Sequence, residues 1–174
     1  MAGKITELTD AGTLTGGEQF EVVQAGNSRK TTLALVSAMA LSYCLDAFAT
    51  SFAPADASTY YFGAIPTVAP SLTAAANRLY IPFAGIIRAA NIYIRCGVAG
   101  TSENFSVWVR LNNTTDYLIT STMDVSVASP IALNSAMNIP VVAGDYVEIK
   151  MTTPTWVTNP TSVMCRSSLF IQPL

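Results

Sequence analysis

The sequence predicts an all-β protein built on an antiparallel sandwich, and three observations predict it. Short runs of alternating apolar and polar residues recur from residue 58 to the end. Clusters of Gly, Asn, Pro and Thr separate these runs, as turns require. No stretch of that region carries the apolar rhythm of a helix. No repeat period is visible either, which argues against a propeller or a β-helix.

The elements follow in order. Residues 1–17 are rich in Gly and Thr and read as an extended arm, with turns at 10–12 and 16–17. Gln19–Gln24 and residues 29–35 read as two short strands around Ala25-Gly26-Asn27-Ser28, where Gly and Asn tolerate the positive φ of a tight hairpin. A lone two-stranded hairpin is marginal in water, so it should lean on chain mates or on a larger particle. From residue 34 the spacing changes. Ala34, Ala38, Leu41, Leu45, Phe48 and Phe52 follow one another at intervals of 4, 3, 4, 3 and 4, the a/d rhythm of a short coiled coil. Two readings stay open: a trimerisation neck along Leu41, Leu45, Phe48 and Phe52, or a helix packed on the β domain. Pro54 ends the helix, and residues 53–58 read as a linker. The expected division is an arm and hairpin over 1–36, a helical neck and linker over 37–57, and a β knob over 58–174.

Within the knob, Phe105, Val107, Val109 and Leu111 alternate with Ser106, Trp108 and Arg110. The first set faces a core, and Trp108 and Arg110 share the opposite side. Asn112-Asn113-Thr114-Thr115 makes a turn into a strand over 116–123. Further strands are expected over 59–62, 78–82, 89–96, 131–134, 137–142, 146–151 and 163–171.

Composition narrows the function. Charged residues make up 11% of the chain and hydrophobic ones 51%, against about 25% charged in an ordinary soluble domain. Surplus apolar surface should be buried against identical copies; a Ser/Thr/Asn surface, polar without charge, is the alternative. A net charge of −2 with no cluster of Lys and Arg excludes steering to nucleic acid. Cys44, Cys96 and Cys165 are an odd number at long spacings, suiting neither a disulfide framework nor a zinc site. Cys96 and Cys165 lie in apolar, strand-like runs and read as buried free thiols, which fits a protein folded in a reducing cytoplasm. The apolar run 33–45 is too short to span a bilayer, so no membrane insertion is expected.

Two stretches carry a family resemblance. Lys4-Ile5-Thr6-Glu7-Leu8, Thr13-Leu14-Thr15-Gly16, Phe20-Glu21-Val22-Val23-Gln24 and Lys30-Thr31-Thr32-Leu33 together resemble an N-terminal module of bacteriophage structural proteins. The resemblance implies virion attachment through Ile5, Leu8, Leu14, Phe20, Val22, Val23 and Leu33, to a phage capsid or tail protein. The second stretch runs from Tyr60-Tyr61-Phe62-Gly63, through Leu111-Asn112-Asn113-Thr114-Thr115-Asp116, to Ala143-Gly144-Asp145-Tyr146-Val147-Glu148-Ile149. It is similar to the terminal domains of phage fibres and to trimeric jelly rolls of the tumour-necrosis-factor and C1q kind. What this implies is a jelly-roll knob, a homotrimer and a place in the virion after synthesis in the bacterial cytoplasm. The chain has no long shaft, so a short head fibre or decoration protein is expected, with a tail-borne receptor-binding protein as the alternative.

The absence of histidine removes Ser-His-Asp and Cys-His catalysis and imidazole metal sites. Asp116, Asp124, Glu103, Asp145 and Glu148 read as turn and edge residues rather than as a catalytic pair. No enzymatic activity, cofactor or metal is expected. For a host surface glycan or protein, the candidate contacts are Trp156, in a stiff loop between Pro154 and Pro160, and Tyr117, beside the Asn-rich turn. Trp156 filling a core or a subunit seam is the competing reading. A free lectin is a further alternative, one that would need no docking module.

Overall fold

Alternation becomes strand wherever one face of the chain can be buried and the other left to water. The structure, a computed structural model, describes residues 19–24 and 27–32 as backbone, and 42–64, 70–101, 104–125 and 130–174 in full. The chain forms two compact units, divided between Leu41 and Ser42.

In the first unit, β1 (Gln19–Gln24) pairs antiparallel with β2 (Asn27–Thr32), from Gln19 opposite Thr32 to Gln24 opposite Asn27. The second strand therefore begins at Asn27 rather than at residue 29, which leaves two residues between the strands. Of the residues expected to serve attachment, Phe20, Val22 and Val23 lie on β1; Ile5, Leu8, Leu14 and Leu33 lie outside the described residues, as does Leu41 of the expected neck.

The second unit contains β3 (Tyr43–Phe52), β4 (Thr59–Phe62), β5 (Leu79–Tyr80), β6 (Gly85–Arg95), β7 (Asn104–Leu111), β8 (Thr115–Asp124), β9 (Ile131–Asn134), β10 (Ile139–Val141), β11 (Tyr146–Thr152) and β12 (Val163–Pro173). A 3-10 turn spans Ala74–Ala76. The strands form two antiparallel sheets. One runs β10-β6-β12-β3, with β9 also on β6; the other runs β4-β11-β7-β8, with β5 also on β11. Ile87, Ile92 and Leu169 of the first sheet join Val107, Val147 and Ile149 of the second in one continuous core.

Over Tyr43–Phe52 the expected helical neck is corrected by β3. Leu45, Phe48 and Phe52 lie in a strand of the first sheet, paired along β12. The 4-3-4 spacing coexists with a second pattern, in which Leu45, Ala47 and Ala49 turn toward the core while Cys44, Asp46 and Phe48 turn away. The run is rich in aromatic, Ser, Thr and Cys residues that gain little in a helix, so burial on β12 decides in favour of the strand. Residues 53–58 are no free linker either. Ala57 N donates to Pro154 O at 2.8 Å, and Thr153 Oγ1 donates to Ala55 O at 2.7 Å.

The sheets are stitched together along both sides. Phe48 N donates to Gly63 O at 2.7 Å, joining β3 to the end of β4. Asn134 Nδ2 donates to Leu118 O at 2.9 Å, joining β9 to β8. At Gly63 the chain passes so close to Asn77 that a Cβ would lie 2.0 Å from its carbonyl oxygen, which only glycine permits. Between β7 and β8, Asn112 and Asn113 take φ of 50° and 56°, the positive values a type I′ hairpin turn requires. Asn112 then ties two turns together: its Nδ2 donates to Asp145 Oδ1 at 2.8 Å, and its Oδ1 accepts from Tyr146 N.

Candidate functional site

Two outward sheet faces carry the side chains of interest. On β11, Val147, Ile149 and Met151 enter the core, which puts Tyr146, Glu148 and Lys150 on the opposite side. Register sets Glu148 opposite Arg110 of β7, and Arg110 opposite Asp116 of β8. Arg78 continues the line at the β5 side, because Leu79 pairs with Val147. The result is a cross-strand row of alternating charge: Arg78, Glu148, Arg110, Asp116.

The two ends of this row differ. Arg110 Nη1 bonds Asp116 Oδ1 at 2.8 Å, and Lys150 Nζ bonds Asp116 Oδ2 at 2.5 Å. Arg110 also donates to the side chain and carbonyl of Asn113. Partial burial pulls the Asp116 carboxyl upward, but the hydrogen bonds and charges of Lys150 and Arg110 outweigh it and leave it below the usual carboxylate range. Lys150 also lies over the Trp108 ring, 5.1 Å from its centroid.

At the other end, Glu148 is fully buried and neither carboxylate oxygen has a hydrogen-bond partner. Its nearest cation, Arg78 Nε, stands 3.7 Å away and is itself unpartnered. The Arg78 guanidinium lies over Tyr146, its Cζ 4.2 Å from the ring centroid. Burial pushes the Glu148 carboxyl up to about 6; Arg78 and Arg110 pull it down, and Asp116 adds to the rise.

The outward face of the first sheet has a different character. Register sets Ile131 beside Tyr93, and Tyr93 beside Arg166; in the next row Leu133, Asn91, Ser168 and Asp46 follow one another. Ile131, Leu133, Tyr93 and Phe170 are exposed on this face. Its polar groups satisfy each other. Asp46 accepts from Ser168 Oγ at 2.5 Å and from Arg166 Nη2 at 3.1 Å, and Asn91 Oδ1 accepts from Ser168 N. A shallow open groove of about 360 Å³ runs between Asn91, Tyr93, Ile131, Arg166 and Ser168.

The residues predicted from sequence are not brought together. Trp156 is 6% exposed and packs edge-on against Phe105, with ring centroids 6.1 Å apart. This corrects its assignment as a receptor contact: its backbone N–H is tied to Asp56 Oδ1 at 3.1 Å, and its large apolar ring gains most from burial. Tyr117 is half-buried against the core opposite Val109 and also serves packing. Phe48 lies on the first sheet's outward face under Arg166, while Leu45 and Phe52 pack at the margin of the core. Glu148, read as an edge residue, belongs to the middle of a strand paired on both sides. The outward placement of Trp108 and Arg110 was the one sequence signal that pointed to this charged row. Cys96 and Cys165 are buried free thiols whose burial raises their pKa, and Cys44 is exposed. Among the described residues no group of three His, Cys, Asp or Glu side chains is placed to hold a metal. No protein-family model matches the sequence, and no curated protein matches it.

Proposed function

We propose that the chain is a structural protein of a bacteriophage particle, a short trimeric head fibre or decoration protein whose β knob is presented to the host surface. The observation that carries this reading is the outward face of the first sheet. Exposed Ile131, Leu133, Tyr93 and Phe170 surround an ion pair and hydrogen bonds that are already closed internally. Such a face can be dried without stranding a charge. A second copy of the chain, itself poor in charge, is the occupant that fits it. The groove beside Tyr93 and Ile131 offers a place for a neighbour's side chain.

The strand order supports a jelly roll. β3-β12-β6-β9/β10 on one side and β4-β11-β7-β8 on the other is the order that two Greek keys produce. The threefold number and the phage setting rest on the resemblance of the arm, the hairpin and the Ala143-Gly144-Asp145 region described above. With many copies on one particle, weak contacts to a cell add up to firm retention.

Light scattering on the purified chain is expected to give three times the 18.4 kDa protomer mass. Ile131→Asp combined with Leu133→Asp should yield a folded monomer. A wild-type monomer would remove the reading, as would the absence of the chain from purified particles analysed by mass spectrometry.

A further inference from the structure

Three loops meet at one end of the second unit. Val163 opposite Phe52 and Met164 opposite Arg95 bring the ends of β3 and β6 beside the start of β12, and Thr152 opposite Thr59 adds β11 and β4. The loops 53–58, 97–101 and 153–162 therefore share this end. The ten-residue β3 separates them by about 30 Å from Ser42, where the unit begins. Hydrogen bonds tie the loops into one piece. Thr101 N donates to Thr158 O and Val98 N to Thr161 O, both at 3.2 Å, and Thr161 N returns to Val98 O at 3.1 Å. Asn159 Nδ2 donates to Pro54 O at 3.0 Å, and Asp56 Oδ1 accepts from both Trp156 N and Asn159 Nδ2.

Backbone strain collects at this tip. Asn112, Asn113 and Asn138 take positive φ, which asparagine tolerates; the other non-glycine residues that do so, Ala57 at 45° and Ser162 at 52°, both lie in these loops. At Gly100 a Cβ would stand 2.7 Å from Thr158 O. Such strain persists only where surrounding bonds hold it, and it gathers at sites that bind. A tip already fixed in shape loses little freedom when a partner docks. Its surface selects the partner. The three loops hold one charged residue, Asp56, whose carboxylate is engaged within the tip. With no cation in the loops, a phosphate or an anionic glycan meets no counter-charge there. Their one aromatic residue, Trp156, is buried, so no ring is offered to the C–H face of a sugar. What stands out is Val98, 60% exposed, and Val157, 81% exposed, among exposed Thr155, Thr158 and Thr161. Apolar side chains ringed by neutral hydroxyls match the uncharged, partly apolar surface of a folded protein.

We propose that this three-loop tip is a docking site for a host-surface protein, with Val98 and Val157 seated against an uncharged patch of that partner. The inference deepens the adhesion role and rests on that reading: if residues 1–41 hold the particle, the end of the knob remote from Ser42 is the one left for the cell.

The test uses the fluorescently labelled full chain and intact cells of the host bacterium, read by flow cytometry. Binding should saturate, vanish when the cells are pretreated with proteinase K, and survive pretreatment with periodate. Val98→Asp combined with Val157→Asp should weaken it by about tenfold or more. Val142→Asp, exposed in the turn at the opposite end, should leave it unchanged. Circular dichroism melting establishes that each variant is folded, and Val157→Asp alone covers the case in which the double variant is not. Absence of binding overturns the proposal, as does loss to periodate, survival of proteinase K, or binding that the tip variants leave unchanged. A double variant that dissociates to monomers also overturns it, by placing the tip within the assembly. Trimers that are present in particles and bind no cells remove this site alone. A chain that binds cells through the tip and is absent from particles removes the virion reading instead.

Discussion

Glu148 shows how one side chain can work against the fold that holds it. Its carboxyl takes up a proton more readily in the folded protein, near pH 6, than its ordinary value of 4.5 allows in the unfolded chain. The stability it contributes is therefore fully present below about pH 4.5 and is lost as pH rises through 6. By neutral pH the loss is on the order of 2 kcal/mol. Glu148→Gln is accordingly expected to raise the melting temperature at pH 7.5 by several degrees and to flatten its change between pH 4.5 and 6.5. An unchanged melting profile would mean that the carboxylate is already solvated. Sequence reveals little at this scale. Glu148 stands in an alternating strand like any surface acid, and only the register with Arg110 and Arg78 shows that it is covered. Trp156 misleads in the opposite sense: a Pro-rich loop suggests display, and the ring is buried against Phe105.

Among the elements, β4 and β9 match their expected bounds, because Thr59–Phe62 and Ile131–Asn134 are short apolar-alternating runs between turn residues. The Asn-rich turn between β7 and β8 was equally legible, since few residues other than Asn and Gly accept positive φ. β3 was not. Its apolar residues fit a helical rhythm and a strand rhythm at once, and the choice between them depends on β12, which lies more than a hundred residues away along the chain. Gly63 belongs to the same junction. Gly63→Ala should push Asn77 away, weaken the Phe48–Gly63 link between the sheets, and cost about 1–3 kcal/mol. The shift in the urea midpoint measures it, and a shift within error would show that residue 77 can yield freely.

For the molecule as a whole, the alternating runs and the turn residues between them foretold an all-β fold of antiparallel sheets. They did not foretell how charged and apolar side chains divide between the two outward faces. Arg78, Arg110, Asp116 and Glu148 are scattered along the sequence, and pairing alone assembles them into a line. An assembly held by Ile131, Leu133, Tyr93 and Phe170 depends little on charge, so raising salt from about 0.05 to 1 M should leave its mass unchanged. Dissociation by salt would place the contact on the charged sheet instead. If copies crowd on a particle as proposed, the links at the two sides of the sandwich bear on how they meet. Closely spaced copies bring the rims of neighbours within reach, and open rims zip together into aggregates. Phe48 N and Asn134 Nδ2 spend their hydrogen bonds on the opposite sheet, which withdraws two donors from the rims that such a neighbour would meet.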